Sequence, residues 1–458
     1  MKTPLISDAG PVDVGRLLDE GNWSGYQRWL VALTALTIVF DGADNQLLGA
    51  AVPAMMRDWS VTRAAFAPVL ALGLIGMTIG GAIAGIAGDR IGRKRALVAS
   101  VIAFGVATAA ISLVQSVAVL GALRFLAGLG LGGALPNAAA LASEFVPRRH
   151  RAFAVTLTIV CVPLGGTLAG LLALRVLPAL GWRALFLVGG LIPIAIGAAL
   201  TRLLAESPRY LATRPEHSRD LRSLLTRMGH PVPDAATFVD SLERSVGRAG
   251  VRALLTPEFR RDTVALWCAF FSCLLAVYLG FNWIPAMITG AGLPPTVGSS
   301  GIMVYNLGGV AGAILGALTF NRLGSRPTML ALAMIGAVSA VGMRWVPVSS
   351  TSDTLPLMLM LVVNGGMTNA VQTTLYALAA QVYPTAIRAT GVGAALAIGR
   401  GGAILSTYAG AWALDAGGPS SFFLVVAVAM GAVFVALTVV KRHIQPGLAV
   451  AALPQGAR

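Results

Sequence analysis

The chain has 458 residues, 56% of them hydrophobic and only 12% charged, against about 25% charged in a typical soluble domain. That balance excludes an ordinary water-soluble globular protein. The formal charge of +15 gathers in alternate loops, so it marks membrane topology and is no nucleic-acid footprint.

In chain order, the first 28 residues are polar with mixed charge. They lack the basic-then-apolar layout of a signal peptide. Twelve apolar runs follow, near 29–51, 63–87, 96–114, 118–143, 152–174, 183–204, 262–289, 297–319, 328–346, 355–380, 389–412 and 420–440. Each is long enough for a transmembrane helix. They are rich in Gly and Ala, as close helix packing in lipid requires, and lack the alternation of an outer-membrane strand. Arg90, Arg93, Lys94 and Arg95 follow run two; Arg148, Arg149 and Arg151 follow run four; Arg322 and Arg326 follow run eight; Arg388 follows run ten. The loops after runs three, seven and eleven contain no Lys or Arg. The positive-inside bias therefore predicts both termini in the cytoplasm.

Polar residues inside the runs point to function. Asp41 and Asp44 lie in run one, three residues apart and so on one helix face. Arg124 lies in run four and Arg400 in run eleven. A charge at that depth costs at least a few kcal/mol and faces an interior or a wet cavity. Arg124 is an expected partner for the aspartates. Arg400 has no obvious acid partner in its own half and invites a carboxylate ligand, which a guanidinium can grip with two hydrogen bonds. Asn137, Tyr278, Asn282, Tyr305, Asn306, Asn369, Gln372 and Tyr376 fall in runs expected to line the same cavity, where aromatic rings suit a flat apolar substrate. Trp23, Trp29, Trp59 and Trp182 fit an interfacial belt. Cys161, Cys268 and Cys273 read as small buried hydrophobes. No phosphate loop, metal cluster or nucleophile–base constellation is found, so neither a cofactor nor an enzymatic activity is expected.

The polar stretch 205–261 divides two sets of six runs that align at an offset near 235. Val39-Phe-Asp-Gly-Ala-Asp44 falls on Val277-Tyr-Leu-Gly-Phe-Asn282, and Pro53-Ala-Met-Met56 on Pro285-Ala-Met-Ile288. Asp89-Arg-Ile-Gly-Arg93 falls on Asn321-Arg-Leu-Gly-Ser325, and the Glu144–Arg151 segment on Gln381–Arg388. Two similar halves around a central site are the plan of rocker-type secondary transporters. The expected domains are 1–204, a six-helix half with the N-tail; 205–261, a linker with an amphipathic piece at Ser218–Met228 suited to the membrane surface; and 262–458, the second half with the C-tail. The repeat fails where charge matters. Asp41, Asp44 and Arg124 fall on Leu279, Asn282 and Leu361, which concentrates proton chemistry in the first half.

These motifs resemble the major facilitator superfamily along the whole chain. Gly85-Ile-Ala-Gly-Asp89-Arg90-Ile-Gly92-Arg93-Lys94 is similar to its signature loop, and Arg124-xxx-Gly128-x-Gly130 to its proton-coupling motif. Asp41-Gly-Ala-Asp44, Leu129–Asn137, Tyr383–Gly393 and Ile398–Ile404 resemble the aromatic acid:proton symporters within it, and Glu206-Ser-Pro-Arg209 is shared with sugar porters. Asn321 and Gln381 depart from the usual acids of the second half. The resemblance implies an all-α fold of twelve transmembrane helices in two pseudo-symmetric halves. It also implies proton-coupled uptake of a hydroxybenzoate-like acid across a bacterial inner membrane, with the protein acting as a monomer. Asp41, Asp44 and Arg124 would couple protons. Asp89, Arg90, Arg93, Glu144, Arg148, Arg151, Arg209 and Arg388 would form cytoplasmic gates, with Asp89 latching the two halves together. Carriers of aliphatic acids, sugars or drugs, and a transporter-like receptor, are the alternative readings.

Overall fold

The protein is described by a computed structural model that covers residues 11–233, 236–240, 251–349 and 353–444. A short strand β1 (Val12–Asp13) leads into helix α1 (Val14–Glu20). The first membrane helix, α2 (Gly25–Trp59), starts at a capping box in which Ser24 and Gln27 satisfy each other's backbone N–H groups. Then come α3 (Arg63–Ile91), α4 (Arg93–Ile111), α5 (Val117–Glu144) and the 53-residue α6 (Arg151–Leu203). The connecting segment holds α7 (Pro208–Ala212), α8 (Ser218–Arg227) and strand β2 (Phe238–Val239). The second half comprises α9 (Arg260–Gly290), α10 (Pro295–Leu323), α11 (Ser325–Met343), α12 (Leu355–Val382) and the 55-residue α13 (Thr385–Val439).

Two of these helices each contain two spans. α6 reverses at Gly181 and α13 at Gly417–Gly418, where φ reaches +74° and +59° at Gly181 and Gly418. No other atom crowds either glycine. The left-handed backbone, which a Cβ would strain, is what requires glycine there. With these breaks the described residues contain twelve membrane-length segments, matching the twelve apolar runs.

Close packing explains the small residues. α3 and α5 cross at Gly76, Gly80, Gly128 and Gly132, where an added Cβ would lie within 2.2 Å of the opposite backbone. This is the small-xxx-small pattern by which helices associate in lipid, where the hydrophobic effect gives no drive.

All loops with clustered arginines lie at one end of the bundle, the basic end. There the N-tail and the connecting segment form a joint unit. β1 pairs in parallel with β2, and Asp19 of α1 receives ion pairs from Arg151 and Arg209. The apolar face of α8, with Leu221, Leu224, Leu225 and Met228, is buried within the protein. This corrects the expectation of a helix lying on the membrane, because α7 and the hydrophobic core offer those leucines an apolar partner. The cysteine expectation also needs correction at one position. Cys161 and Cys273 are buried, but Cys268 is exposed.

Candidate functional site

Among the described residues, nine helices are long and strongly apolar enough to cross a membrane, and α2 is not one of them. Its midpoint carries Asp41, Asp44, Asn45 and Gln46, all at most 9% exposed. The most polar helix centre is thus packed inside the bundle, where it contacts α5, α6 and α9.

The two aspartates have different surroundings. Asp44 is saturated. It accepts from Arg124 Nη1 of α5 at 3.3 Å and from the Thr108 hydroxyl of α4. Asp41, one turn earlier, is 2% exposed, and its Oδ1 has no hydrogen-bond partner among the described residues. The cation whose charge reaches it is Arg400, from α13 in the other half. Arg400 Nη1 is likewise buried and without a partner. An acid and a guanidinium from opposite halves therefore face one site, each with hydrogen-bonding capacity unused.

An aromatic wall adjoins them. Tyr376 of α12 lies beside Arg400, Tyr278 and Gln372 and packs edge-on to Phe270 at 5.6 Å. Tyr278 of α9 meets Phe281 at 5.6 Å and accepts a hydrogen bond from Asn45 Nδ2 at 3.4 Å. Asn282, at the repeat position of Asp44, is 4% exposed, and its Nδ2 has no partner.

Four other residues expected in the cavity make hydrogen bonds within the helix packing, although Asn137 Oδ1 has no partner among the described residues. Asn137 donates to the carbonyls of Ala84 and Gly133, which pins α5 to α3 near the basic end. Tyr305 bonds Thr368 at 2.9 Å and is 1% exposed. Asn369 donates to Gly365 one turn back, against Gly309. Asn306 makes a reciprocal amide pair with Gln46, at 3.1 and 2.7 Å, across the two halves. A buried amide must find partners, and the sequence does not reveal whether those partners are ligand or protein.

Residues 34–355 match the sequence profile of the Major Facilitator Superfamily. The chain belongs to that superfamily. It is 32% identical to the gallate transporter of Pseudomonas putida over 407 residues, covering 89% of this chain and 90% of that one. It is 33% identical to the 4-hydroxybenzoate transporter PcaK of Pseudomonas aeruginosa, covering 91% and 93%. It is 28% identical to the benzoate transport protein of Acinetobacter baylyi, covering 95% and 94%. Among solved structures, the partially occluded inward open conformation of the Escherichia coli xylose transporter XylE superposes with a TM-score of 0.71. That match covers 90% of this chain and 97% of XylE at 15% identity. The protein is thus a multi-pass membrane transporter with the major facilitator fold.

In this facilitator the contacts between halves are one-sided. Among the described residues, the side-chain hydrogen bonds and ion pairs joining the halves are Asn45–Tyr278, Gln46–Asn306 and Arg63–Asp415. They lie from mid-membrane to the end opposite the basic loops, where the Phe281 carbonyl also packs on Gly49. At the basic end each described ion pair stays within one half or its attached tail. Asp89 bonds Arg93 at 2.5 Å, and Arg93 reaches Glu144 at 3.7 Å. Glu144 also accepts from Ser207. Asp89 therefore does not bridge the halves in this structure. Arg151 and Arg209 pair with Asp19 and lie close enough to Glu144 to interact with its charge, with Arg209 also 3.4 Å from Asp240. The Arg90 carbonyl accepts from Tyr210 and Arg214, Arg148 projects into solvent, and Arg388 donates to the Tyr383 carbonyl at 3.4 Å.

Sequence reading misses Thr108, Gln46, Asp19 and the Arg63–Asp415 pair. Asn45-Gln46 directly after Asp44 was a usable signal, because four polar groups in one membrane turn need several partners. Nothing local marks Thr108 or Asp19.

Proposed function

We propose that this chain is a proton-coupled symporter importing aromatic carboxylates of the hydroxybenzoate type. The observation that carries the proposal is the pairing of roles at the centre: Asp44 is held by Arg124 and Thr108, while Asp41 and Arg400 face one site with unpartnered atoms. Arg400 grips the substrate carboxylate in a planar fork. Tyr278 and Tyr376 flank the ring, with Gln372 and Asn282 available to ring hydroxyls. The names of the gallate, 4-hydroxybenzoate and benzoate relatives support this substrate class.

Charge balance links substrate to proton. Asp41, Asp44, Arg124 and Arg400 sum to zero when ionised. An added carboxylate leaves one excess negative charge, which an occluded low-dielectric site resists. A proton on Asp41 restores neutrality and lets the loaded site close. Asp44 already accepts from two donors, which leaves Asp41 as the acid to take the proton.

The positive-inside bias supports a reading in which the basic end faces the cytoplasm of a bacterial inner membrane, with both termini inside. The protein then acts as a monomer whose halves, 1–204 and 262–458, rock about the site and are joined by 205–261. Asp89, Arg90, Arg93, Glu144, Arg148, Arg151, Arg209 and Arg388 form the gate that reorganises when the cytoplasmic end shuts. A competition panel in proteoliposomes under an imposed pH gradient tests the substrate class. Benzoate-type acids should displace labelled 4-hydroxybenzoate, and aliphatic acids and sugars should not. Displacement by an aliphatic acid at equal concentration would overturn the aromatic assignment.

A further inference from the structure

A cavity of about 740 Å³ lies outside the transport pathway, at the basic end of the first half. It is enclosed by the first turns of α4, the end of α6 and the helix α8. Its rim holds Lys94, Arg95 and Arg227, with Tyr26 and Tyr210 beside them, and its floor is Val98, Ala99 and Ile102. Two acids also line it, and both are engaged. Glu206 accepts the backbone N–H groups of Lys94 and Ser207, each at 2.9 Å, and Asp220 pairs with His217 at 3.4 Å. Arg95 and Arg227 are exposed and form no ion pair among the described residues.

The cavity does not end at its floor. Ala99 also begins a shallow apolar groove of about 630 Å³ between α4 and α5, lined by Ala103, Ala107, Ala110, Leu126 and Gly130. Val106 and Leu126 on this groove are about half exposed on a membrane-spanning surface, so its open side faces acyl chains. From Ala99 to Ala110 the helix rises about 16 Å at 1.5 Å per residue. That is about half of a 30 Å hydrocarbon core, the depth of one leaflet. A soluble anion would use the rim and leave the groove to other molecules. A two-part ligand, with a negative head and a chain one leaflet long, fits both.

We propose that this continuous cavity and groove bind one anionic phospholipid. Its phosphate lies among Lys94, Arg95 and Arg227, and one acyl chain follows the alanine face of α4. The lipid would clamp α8, and through it the connecting segment, to the membrane surface of the first half. Anionic lipids are attracted to juxtamembrane cations in this way.

Native mass spectrometry of the purified protein, titrated with phosphatidylglycerol, phosphatidylethanolamine or inorganic phosphate, tests the proposal. Phosphatidylglycerol should bind at the lowest concentration, and phosphate should not displace it. Removing one surface cation weakens anionic-lipid binding about fivefold, so Arg95→Gln with Arg227→Gln should cost roughly 25-fold. Ala103→Trp, which fills the groove and faces lipid, should weaken phosphatidylglycerol binding without touching any charge. All three positions are exposed, so the fold should survive, as size-exclusion chromatography would verify. Undiminished binding by either variant would overturn the site. Displacement by phosphate at matched concentration would instead identify a soluble-anion pocket and would also overturn the proposal.

Discussion

Asp41 and Asp44 are the same chemical group three residues apart, yet their neighbours give them different work. Asp44 forms a buried ion pair with Arg124. Removing one member of such a pair leaves the other charge buried alone and costs about 3–5 kcal/mol. Asp44→Asn should therefore lower the yield and thermal stability of the protein in detergent as well as its transport. Asp41 has an unused carboxylate oxygen, so Asp41→Asn should leave stability nearly unchanged. It should abolish accumulation driven by a pH gradient while preserving substrate exchange. If Asp41→Asn accumulates substrate normally, or if both variants destabilise equally, the division of roles is wrong. Arg400 is tested by shape. Arg400→Lys keeps the charge but loses the fork, so affinity for the acid should fall, and Arg400→Ala should lower it further. An amide analogue should bind weakly to the wild type and lose little more in the Ala variant, a non-additive result that marks direct contact. Equal losses for acid and amide would make Arg400 structural.

Among the elements, α2 carries both the site and the closure of the far end. Gly49, two turns after Asp41, touches the Phe281 carbonyl of α9, and a Cβ there would lie 2.4 Å from that oxygen. Gly49→Val should hold the halves apart at the end opposite the basic loops. Spin labels at the exposed positions Leu180 and Trp345 should then report a longer distance than in the wild type, and an unchanged distribution would contradict the closure described. The unit built from the N-tail and connecting segment has its own pH response. His230 packs on Gly21 at the end of α1, next to the Leu17 carbonyl, and burial holds its pKa below the usual 6.5. The unfolded segment then binds more protons than the folded one as pH drops through 6.5, so this unit loses stability in acid and regains it above. The protection factors of residues 14–20, corrected for the pH dependence of intrinsic exchange, should fall between pH 7 and pH 5.5, and less so in His230→Gln. Much of this architecture was legible in the sequence. The apolar runs give the helices because each must span about 30 Å of hydrocarbon, and the repeat gives the halves. The docking of α8 was not legible, since an amphipathic helix has the same pattern whether its leucines meet lipid or protein. The packing roles of Asn137, Asn306 and Asn369 were hidden for a related reason: an amide in a membrane helix needs a partner, and only the fold supplies it.

At the scale of the whole molecule, near-symmetry in shape accompanies asymmetry in charge. The first half contributes Asp41, Asp44 and Arg124; the second contributes Arg400 and the rings of Tyr278 and Tyr376. In the proposed mechanism neither half alone holds both the proton site and the carboxylate clamp, so substrate and proton meet where the halves meet. Closure over a neutral set of charges is easier than over a net negative one, and on this proposal the charges at the centre decide which loads let the halves rock. The most direct measurement of this account is proton movement itself, in proteoliposomes holding a pH-sensitive dye and no initial gradient. Adding 4-hydroxybenzoate outside should acidify the lumen with the wild type, and the signal should vanish with Asp41→Asn. Substrate entry without acidification, or acidification that survives Asp41→Asn, would contradict it.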